Sequence, residues 1–280
     1  MKPTKLGMMA NDSPRAVDLA LESAAYLKDQ IGSLLAEDHL LRAMAAKNQK
    51  VCSSLRTLNP ATDQVDLVLV FGGDGTILRT VQSFGSLSVP VCGINMGRTG
   101  FLSQVEPKDL IPALKRLASG KFDVVSRMKV DVRLGAERLG SALNELLVQG
   151  TRTGKILRAN VHIDSLGDLM LEGDGVIVST PTGSTGHSLS AGGPVVDCGL
   201  NAMIVAPLGA IRPIRPMVIS SDREIVVLPG DDCCLAMDGR VVGNAHQGNE
   251  VRVCRSESKA VFAVLDSDLF WTKLRQRIGG

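Results

Sequence analysis

Aromatic residues are scarce in this chain: 3 % of 280 residues, with one Trp and one Tyr. Its core must therefore be built from Val, Leu, Ile, Ala and Met. Charge of one sign is lacking too. The formal net charge is +2 and no long basic run occurs, which excludes the electrostatic footprint of a nucleic-acid binder. An anionic small molecule remains open, because that needs only a local positive site. No CxxC pair joins any of the six cysteines, so a zinc ribbon is excluded. In a long chain that is not Cys-rich they read as reduced, mostly buried thiols. No stretch of about 18 apolar residues is present, so no membrane span is expected. Met1 to Leu6 lacks the charged-then-apolar pattern of a signal peptide. The expectation is a cytoplasmic protein that binds neither nucleic acid nor membrane. What is present is ordinary for a globular chain: 44 % apolar and 21 % charged residues, and length enough for one large domain or two modest ones.

The first third reads as alternating strands and helices. Lys5 to Met9 is strand-like. Asn11-Asp12-Ser13-Pro14 supplies a turn, an N-cap and a proline at the first helical position. Val17, Ala20, Leu21, Ala24, Leu27 and Ile31 then share a helical face. A second helix is expected from about Asp38 to Lys47. The apolar runs Val65 to Phe71 and Val89 to Ile94 have the length and Val content of strands covered on both faces. Ile77 to Phe84 lies between them as a helix. This order predicts a doubly wound, mostly parallel α/β layer.

After Phe101 the pattern changes. Pro107 to Ser119 predicts one helix. Short alternating runs follow at Val124 to Leu134, Arg138 to Val148, Ile156 to Ile163, Gly175 to Ser179, Met217 to Leu228, Cys233 to Asp238 and Glu250 to Arg255. They predict an all-β second domain. Ser267 to Ile278 reads as a closing helix, with Phe270, Trp271, Leu274 and Ile278 on one side, that packs back on the first domain. The expected division is an α/β domain over 1–103, joined by 259–280, and a β-rich domain over 104–258.

Four segments carry chemistry. Val68 to Arg79 runs from a buried strand through Gly72-Gly73-Asp74-Gly75-Thr76 into a helix. Such a turn exposes backbone N–H groups, and the helix start adds positive dipole character. Both suit phosphate. The Asp74 carboxylate would repel an anion, so it makes sense as a proton acceptor for an attacking hydroxyl or as help in holding Mg²⁺. A simple Asp-Gly turn is the other reading. The spacing is neither GxGxxG nor GxxxxGK[ST], so the Rossmann and Walker mechanisms do not apply directly. Gly93 to Leu102, after another buried strand, places a second Gly-rich loop at the same carboxyl edge, where open α/β sheets bind ligands. It also reads as a domain junction. Asn144-Glu145 can read a ribose or amide edge, or simply end a strand. Gly173 to Pro194 carries seven hydroxyl side chains, namely Ser179, Thr180, Thr182, Ser184, Thr185, Ser188 and Ser190. An ordered loop of this composition suits sugar and phosphate hydrogen bonding; a solvated linker shares the composition. His187 within it can stack on a base or contact phosphate. No hydrolase triad or G-x-S-x-G elbow is present. Asp238-Gly239 reads as a hairpin turn.

In this order and on this plan, GGDGT at 72–76, NMGRTGFL at 95–102, LNE at 143–145 and GDGVIVSTPTGSTGHSLSAGGP at 173–194 resemble the motifs of the NAD kinase family. The likeness runs from about Leu6 to Asp238. GGDGT is shared with diacylglycerol and sphingosine kinases; the long fourth motif selects NAD kinase. The resemblance implies transfer of the terminal phosphoryl group of ATP (or polyphosphate) to the adenosine 2′-hydroxyl of NAD, with Mg²⁺ or another divalent metal, by a homodimer or homotetramer. It implies that Asp74 accepts the hydroxyl proton. It places Gly72, Gly73, Gly75 and Thr76 at the phosphate donor, and Asn144 and Glu145 on a ribose of NAD. Asp174 falls near a base end of NAD, with Thr182, Thr185, Gly186, His187, Ser188, Leu189 and Ser190 lining the dinucleotide. Arg79 and Lys155 match basic contact positions. The chain departs from the family's Ala-Tyr at Gly186-His187. It lacks the family's Pro-His near Leu208 to Ile211, where Arg212 and Arg215 sit instead. A diacylglycerol-type lipid kinase and a non-catalytic NAD(H) sensor are the rival readings.

Overall fold

The computed structural model describes residues 2–278 apart from 86–87, 98–99, 153 and 267–268; the side chains of 276–278 are also outside the description. Arg98 and Thr99 of the second glycine segment, Ser267 of the closing helix and the Ile278 side chain therefore lie outside the described residues. The chain forms two compact units, Met1–Ser126 with Ala260–Gly280, and Arg127–Lys259.

The first unit alternates strands and helices. Its elements are β1 (Lys5–Ala10), α1 (Pro14–Leu27), β2 (Ser33–Ala36), α2 (Asp38–Lys47), a one-turn α3 (Gln49–Cys52), β3 (Arg56–Thr57), β4 (Leu67–Gly72), α4 (Asp74–Ser83), β5 (Pro90–Asn95), β6 (Ser103–Val105) and α5 (Leu110–Ala118). The strands pair in parallel in the order β3-β2-β1-β4-β5-β6. Chain order reverses between β1 and β4, a topological switch point at whose carboxyl edge ligands bind. Every residue of β4 is buried, as a strand covered on both faces requires. Ser13 caps α1, its Oγ accepting from the Ala16 amide at 3.3 Å. Leu110, Ala113, Leu114 and Leu117 of α5 pack in one core with Leu6, Met8, Leu69 and Phe71. That helix, assigned from sequence to the second domain, thus contributes to the core of the first.

The second unit contains β7 (Asp123–Leu134), β8 (Glu137–Ala142), β9 (Glu145–Gly150), β10 (Leu157–Ile163), β11 (Gly167–Gly173), β12 (Gly175–Ser179), a short α6 (His187–Ser190), β13 (Ala202–Leu208), β14 (Met217–Ser220), β15 (Ile225–Pro229), β16 (Cys233–Met237), β17 (Arg240–Ala245) and β18 (Val251–Val264); the first four residues of β7 and the last five of β18 belong to the first unit. One antiparallel sheet runs β14-β13-β12-β9-β16-β17. The other joins β11, β10, β15 and β18 with the β7–β8 hairpin. Inward residues of both, among them Val130, Val148, Val161, Val178, Val227 and Leu235, share one apolar core. Ile177, Ile204 and Ala206 bury the opposite face of β12 and β13 against Val196.

Two runs read as single strands are each two. Arg138 to Val148 breaks at Leu143-Asn144, because β8 and β9 enter different sheets. Met217 to Leu228 breaks between Ser220 and Ile225 for the same reason. Strands β2, β3, β6, β11, β13 and β17 lie outside the runs that periodicity predicts. The closing helix α7 (Leu269–Ile278) belongs to the first unit and buries Leu274. All six cysteines are free thiols, four of them buried. Among the described residues no helix is long and apolar enough to cross a membrane.

Candidate active site

Asp74 opens α4 rather than preceding it; Gly73 is the N-cap and its carbonyl accepts from the Thr76 and Ile77 amides. The helix therefore begins three residues before the periodicity predicts. Gly72 ends β4 at the switch point, and a Cβ there would overlap the Thr76 side chain. A Cβ at Gly73 or Gly75 would meet no atom within 4 Å. The cradle thus faces open space on the side where phosphate would approach, with helix-start amides on its floor.

The Asp74 carboxylate does not hang free. Its Oδ2 accepts from the Phe101 amide and its Oδ1 from the Leu102 amide, each at 3.0 Å. Two backbone dipoles thus hold the carboxylate in the glycine cradle and leave each oxygen a further lone pair. The Gly93 to Leu102 segment serves the site in this way, by holding Asp74. Its strand end is itself fixed: Met96 N–H donates to the Gly72 carbonyl, Asn95 Nδ2 donates to Glu106 at 3.0 Å, and Asn95 Oδ1 accepts from Gly97. Arg79, one turn further along α4, forms a two-pronged pair with Glu37, 3.1 Å on each arm, and donates to the Ala10 carbonyl at 2.6 Å. Its guanidinium is committed to tying α4 to the end of β1.

In the second unit, Asn144-Glu145 sits where β8 gives way to β9. The amides of Leu143, Asn144 and Glu145 all donate to the Asp238 carboxylate, at 2.9, 2.7 and 3.3 Å. Asp238 does form the anticipated hairpin turn, with φ of 48° followed by 78° at Gly239. Its carboxylate has a second use: it anchors the backbone on which Asn144 and Glu145 stand. Nothing in the local sequence signals this, because the partners are more than ninety residues apart. Glu145 is 8 % exposed and its Oε2 has no partner. Burial, and then the Asp238 charge, push its carboxyl from 4.5 up to about 7.

The hydroxyl-rich segment is bolted to the same backbone. Thr180 N–H donates to the Asn144 carbonyl at 2.8 Å, Thr180 Oγ1 to the Leu143 carbonyl at 2.5 Å and Ser179 Oγ to Asn144 at 3.1 Å. Ser184 Oγ bonds the Val196 backbone, and Thr185 Oγ1 donates to the Thr182 carbonyl. Thr182, Ser184, Thr185 and Ser188 are all buried. The loop is ordered, not a linker, and most of its hydroxyls build it. Ser188 Oγ is buried without a partner; His187 and Leu189 are half-buried and Ser190 is exposed. A Cβ at Gly186 would lie 3.5 Å from Glu145 Oε2 and 3.8 Å from Asn144 Nδ2, so this turn covers the Asn-Glu pair.

Asp174 and Lys155 lie elsewhere. Glu145 pairs with Ser179 at one end of β9 and β12, and Gln149 with Gly175 at the other. At that far end the Gly150 amide donates to the Asp174 carbonyl, and Lys155 lines a cleft of about 170 Å³ with Gly150, Arg152 and Asp232. Four residue steps, Glu145 to Gln149, separate the two ends, roughly 13 Å at about 3.3 Å per residue. One copy of the unit therefore does not bring Asp174 and Lys155 to the Asn144-Glu145 pair. Among the described residues no three His, Cys, Asp or Glu side chains are grouped to cage a metal. An ion carried on phosphate oxygens needs no such cage, only one or two carboxylates, and Asp74 offers one.

A parallel sheet with a glycine cradle and a held carboxylate at its switch point, followed by a β unit with a buried Asn-Glu pair under a hydroxyl-rich loop, defines a nucleotide-handling phosphotransferase. Residues 6–122 match the family described as ATP-NAD kinase N-terminal domain, and residues 143–265 match the ATP-NAD kinase C-terminal domain. An NAD kinase of Geotalea daltonii is 33 % identical over 275 residues, covering 92 % of this chain and 95 % of that one. One from Methanothermobacter thermautotrophicus is 32 % identical over 279 residues, covering 98 % and 96 %. An NAD kinase from Archaeoglobus fulgidus, solved in complex with ATP, superposes with a TM-score of 0.77 at 26 % identity, covering 97 % and 98 %. Yeast NADH kinase complexed with NADH shares the fold, with a TM-score of 0.89 at 20 % identity over 99 % of this chain and 87 % of that one. The chain belongs to the NAD kinase family. It is an enzyme, and its reaction is the ATP-dependent phosphorylation of NAD to NADP.

Proposed function

We propose that Asp74 is the group that orients the adenosine 2′-hydroxyl of NAD and accepts its proton as the phosphoryl group of ATP is transferred. The observation that carries this is the Asp74 carboxylate, fixed by the Phe101 and Leu102 amides at the mouth of an open glycine cradle. Phosphoryl transfer asks for alignment and charge neutralisation more than covalent work. Gly72, Gly73, Gly75 and Thr76 form the cradle for the donor phosphates, the Thr76 amide closing its first turn on the Gly73 carbonyl. A divalent metal, when bound, neutralises charge on those phosphates, with Asp74 as a carboxylate within the cradle.

Asn144 and the buried, unpartnered Glu145 Oε2 hold ribose hydroxyls of NAD, and Thr182, Thr185, Gly186, His187, Ser188, Leu189 and Ser190 line the dinucleotide. A buried acceptor without a partner is costly unless a ligand hydroxyl meets it, which supports this assignment. Asp174 and Lys155, remote from the pair within one copy, serve NAD bound by a second copy, so the working form is a homodimer or homotetramer. Arg79 acts through the Glu37 pair that holds α4. The compartment is the cytoplasm.

The test is Asp74→Asn, assayed by coupled detection of NADP formed from NAD, ATP and Mg²⁺. A loss of about 10²–10⁴-fold in turnover with NAD binding intact is expected. Near-wild-type turnover with intact binding refutes the role. The same assay with NADH and with polyphosphate defines acceptor and donor preference.

A further inference from the structure

We infer that Lys273, on the C-terminal helix and outside every motif segment, is a positioning residue for phosphoryl transfer because it clamps the loop that holds Asp74. The inference rests on the reading of Asp74 as the proton acceptor.

Asp74 is held by two consecutive amides, of Phe101 and Leu102. Their direction depends on how the chain turns between Gly100 and Ser103. That turn has little support of its own: Ser103 Oγ donates to the Gly100 carbonyl at 3.2 Å. Lys273 supplies the rest. Its Nζ reaches the Gly100 carbonyl at 2.6 Å, the Ser103 carbonyl at 2.5 Å and Ser103 Oγ at 3.1 Å. All three ammonium donors thus close the two ends of a four-residue turn whose middle amides grip Asp74.

The turn is cramped on the Asp74 side. A Cβ at Gly100 would stand 2.5 Å from Ser103 Oγ, 3.1 Å from Asn95 Oδ1 and 3.3 Å from Asp74 Oδ1, so small shifts of this backbone reach the carboxylate directly. A second contact ties the same helix to the same turn: the Phe101 and Phe270 rings meet edge-on, centroids 6.2 Å apart. Lys273 is half-buried. Desolvation draws its ammonium below the usual lysine range, opposed by the charges of Glu106 and Asp74. A cation there also offsets the carboxylate it helps to place. Lys273 touches no reacting atom; it acts through the Phe101 and Leu102 amides.

The experiment is a double-mutant cycle in the full chain: wild type, Lys273→Met, Asp74→Asn and the double variant, with kcat and KM for NAD and ATP. Lys273→Met is expected to lower kcat about 10–100-fold, the scale of a misplaced reacting group, with both KM values within about 3-fold. In the Asp74→Asn background the same change is expected to cost less than about 3-fold, because the two residues act as a unit. If the Met variant does not fold, Lys273→Gln takes its place with the same expectation. Wild-type kcat for Lys273→Met, or an equal loss with and without Asp74, overturns the inference. Wild-type turnover of Asp74→Asn alone overturns the reading of Asp74 instead, so the two failures are distinguishable.

Discussion

Replacing Glu145 by Gln isolates the cost of a buried carboxylate. Glu145 is 8 % exposed, has an unpartnered Oε2 and stands beside the Asp238 charge. Moving its carboxyl from 4.5 to about 7 corresponds to roughly 3 kcal/mol between protonated and ionised forms, at about 1.4 kcal/mol per factor of ten. The folded state binds this proton more tightly than the unfolded state. Stability is therefore lost as pH rises from 4.5 towards 7, and the whole penalty is present above 7. Glutamine keeps the shape and cannot ionise. The ligand-free Glu145→Gln protein is expected to be more stable than wild type by about 2–3 kcal/mol at pH 8, seen as a rise in Tm of roughly 4–10 °C. Below pH 4.5 the two proteins should melt together. Calorimetry of both proteins at pH 4.5 and pH 8 measures the difference. Equal Tm at pH 8, or an offset independent of pH, refutes the argument. The same substitution should lower kcat/KM for NAD, since an anionic acceptor for a ribose hydroxyl is lost; site strain of this kind is stability given up for function.

Asp238→Asn leaves one acceptor oxygen where two serve the Leu143, Asn144 and Glu145 amides. A loss of about 1–3 kcal/mol in denaturant unfolding is expected, with a raised KM for NAD and an unchanged KM for ATP. Gly72→Ala places a methyl group on the Thr76 side chain. It should destabilise the protein by about 1–3 kcal/mol and collapse NADP formation in the coupled assay, whereas Gly73→Ala, which meets no atom, should unfold as wild type does.

The Ser13-Pro14 start of α1, the buried runs of β4 and β5 and the span of α2 depend on residues within a few positions of one another. The glycine cradle and the Asn-Glu pair were likewise visible as residue types, and family resemblance supplied their roles. Other features depended on partners far along the chain. The break of Arg138 to Val148 into two strands follows from β8 and β9 pairing in different sheets, and its amides are held by Asp238, more than ninety residues on. Arg79 meets Glu37, 42 residues earlier. Three hydroxyls of the 179–190 segment, those of Ser179, Thr180 and Ser184, are spent on the Asn144, Leu143 and Val196 backbone.

By itself the sequence determined the alternation of elements, the glycine turn at a strand end and the membership of a kinase family, because periodicity, capping and motif spacing are properties of neighbouring residues. Only the tertiary structure decided how the Asp74 carboxylate is held, which residue anchors Asn144-Glu145 and which turn Lys273 closes. Those are pairings of backbone amides and carbonyls with side chains 27 to 173 residues away. Hydrogen-bond partners are chosen by proximity in space, which chain order does not encode.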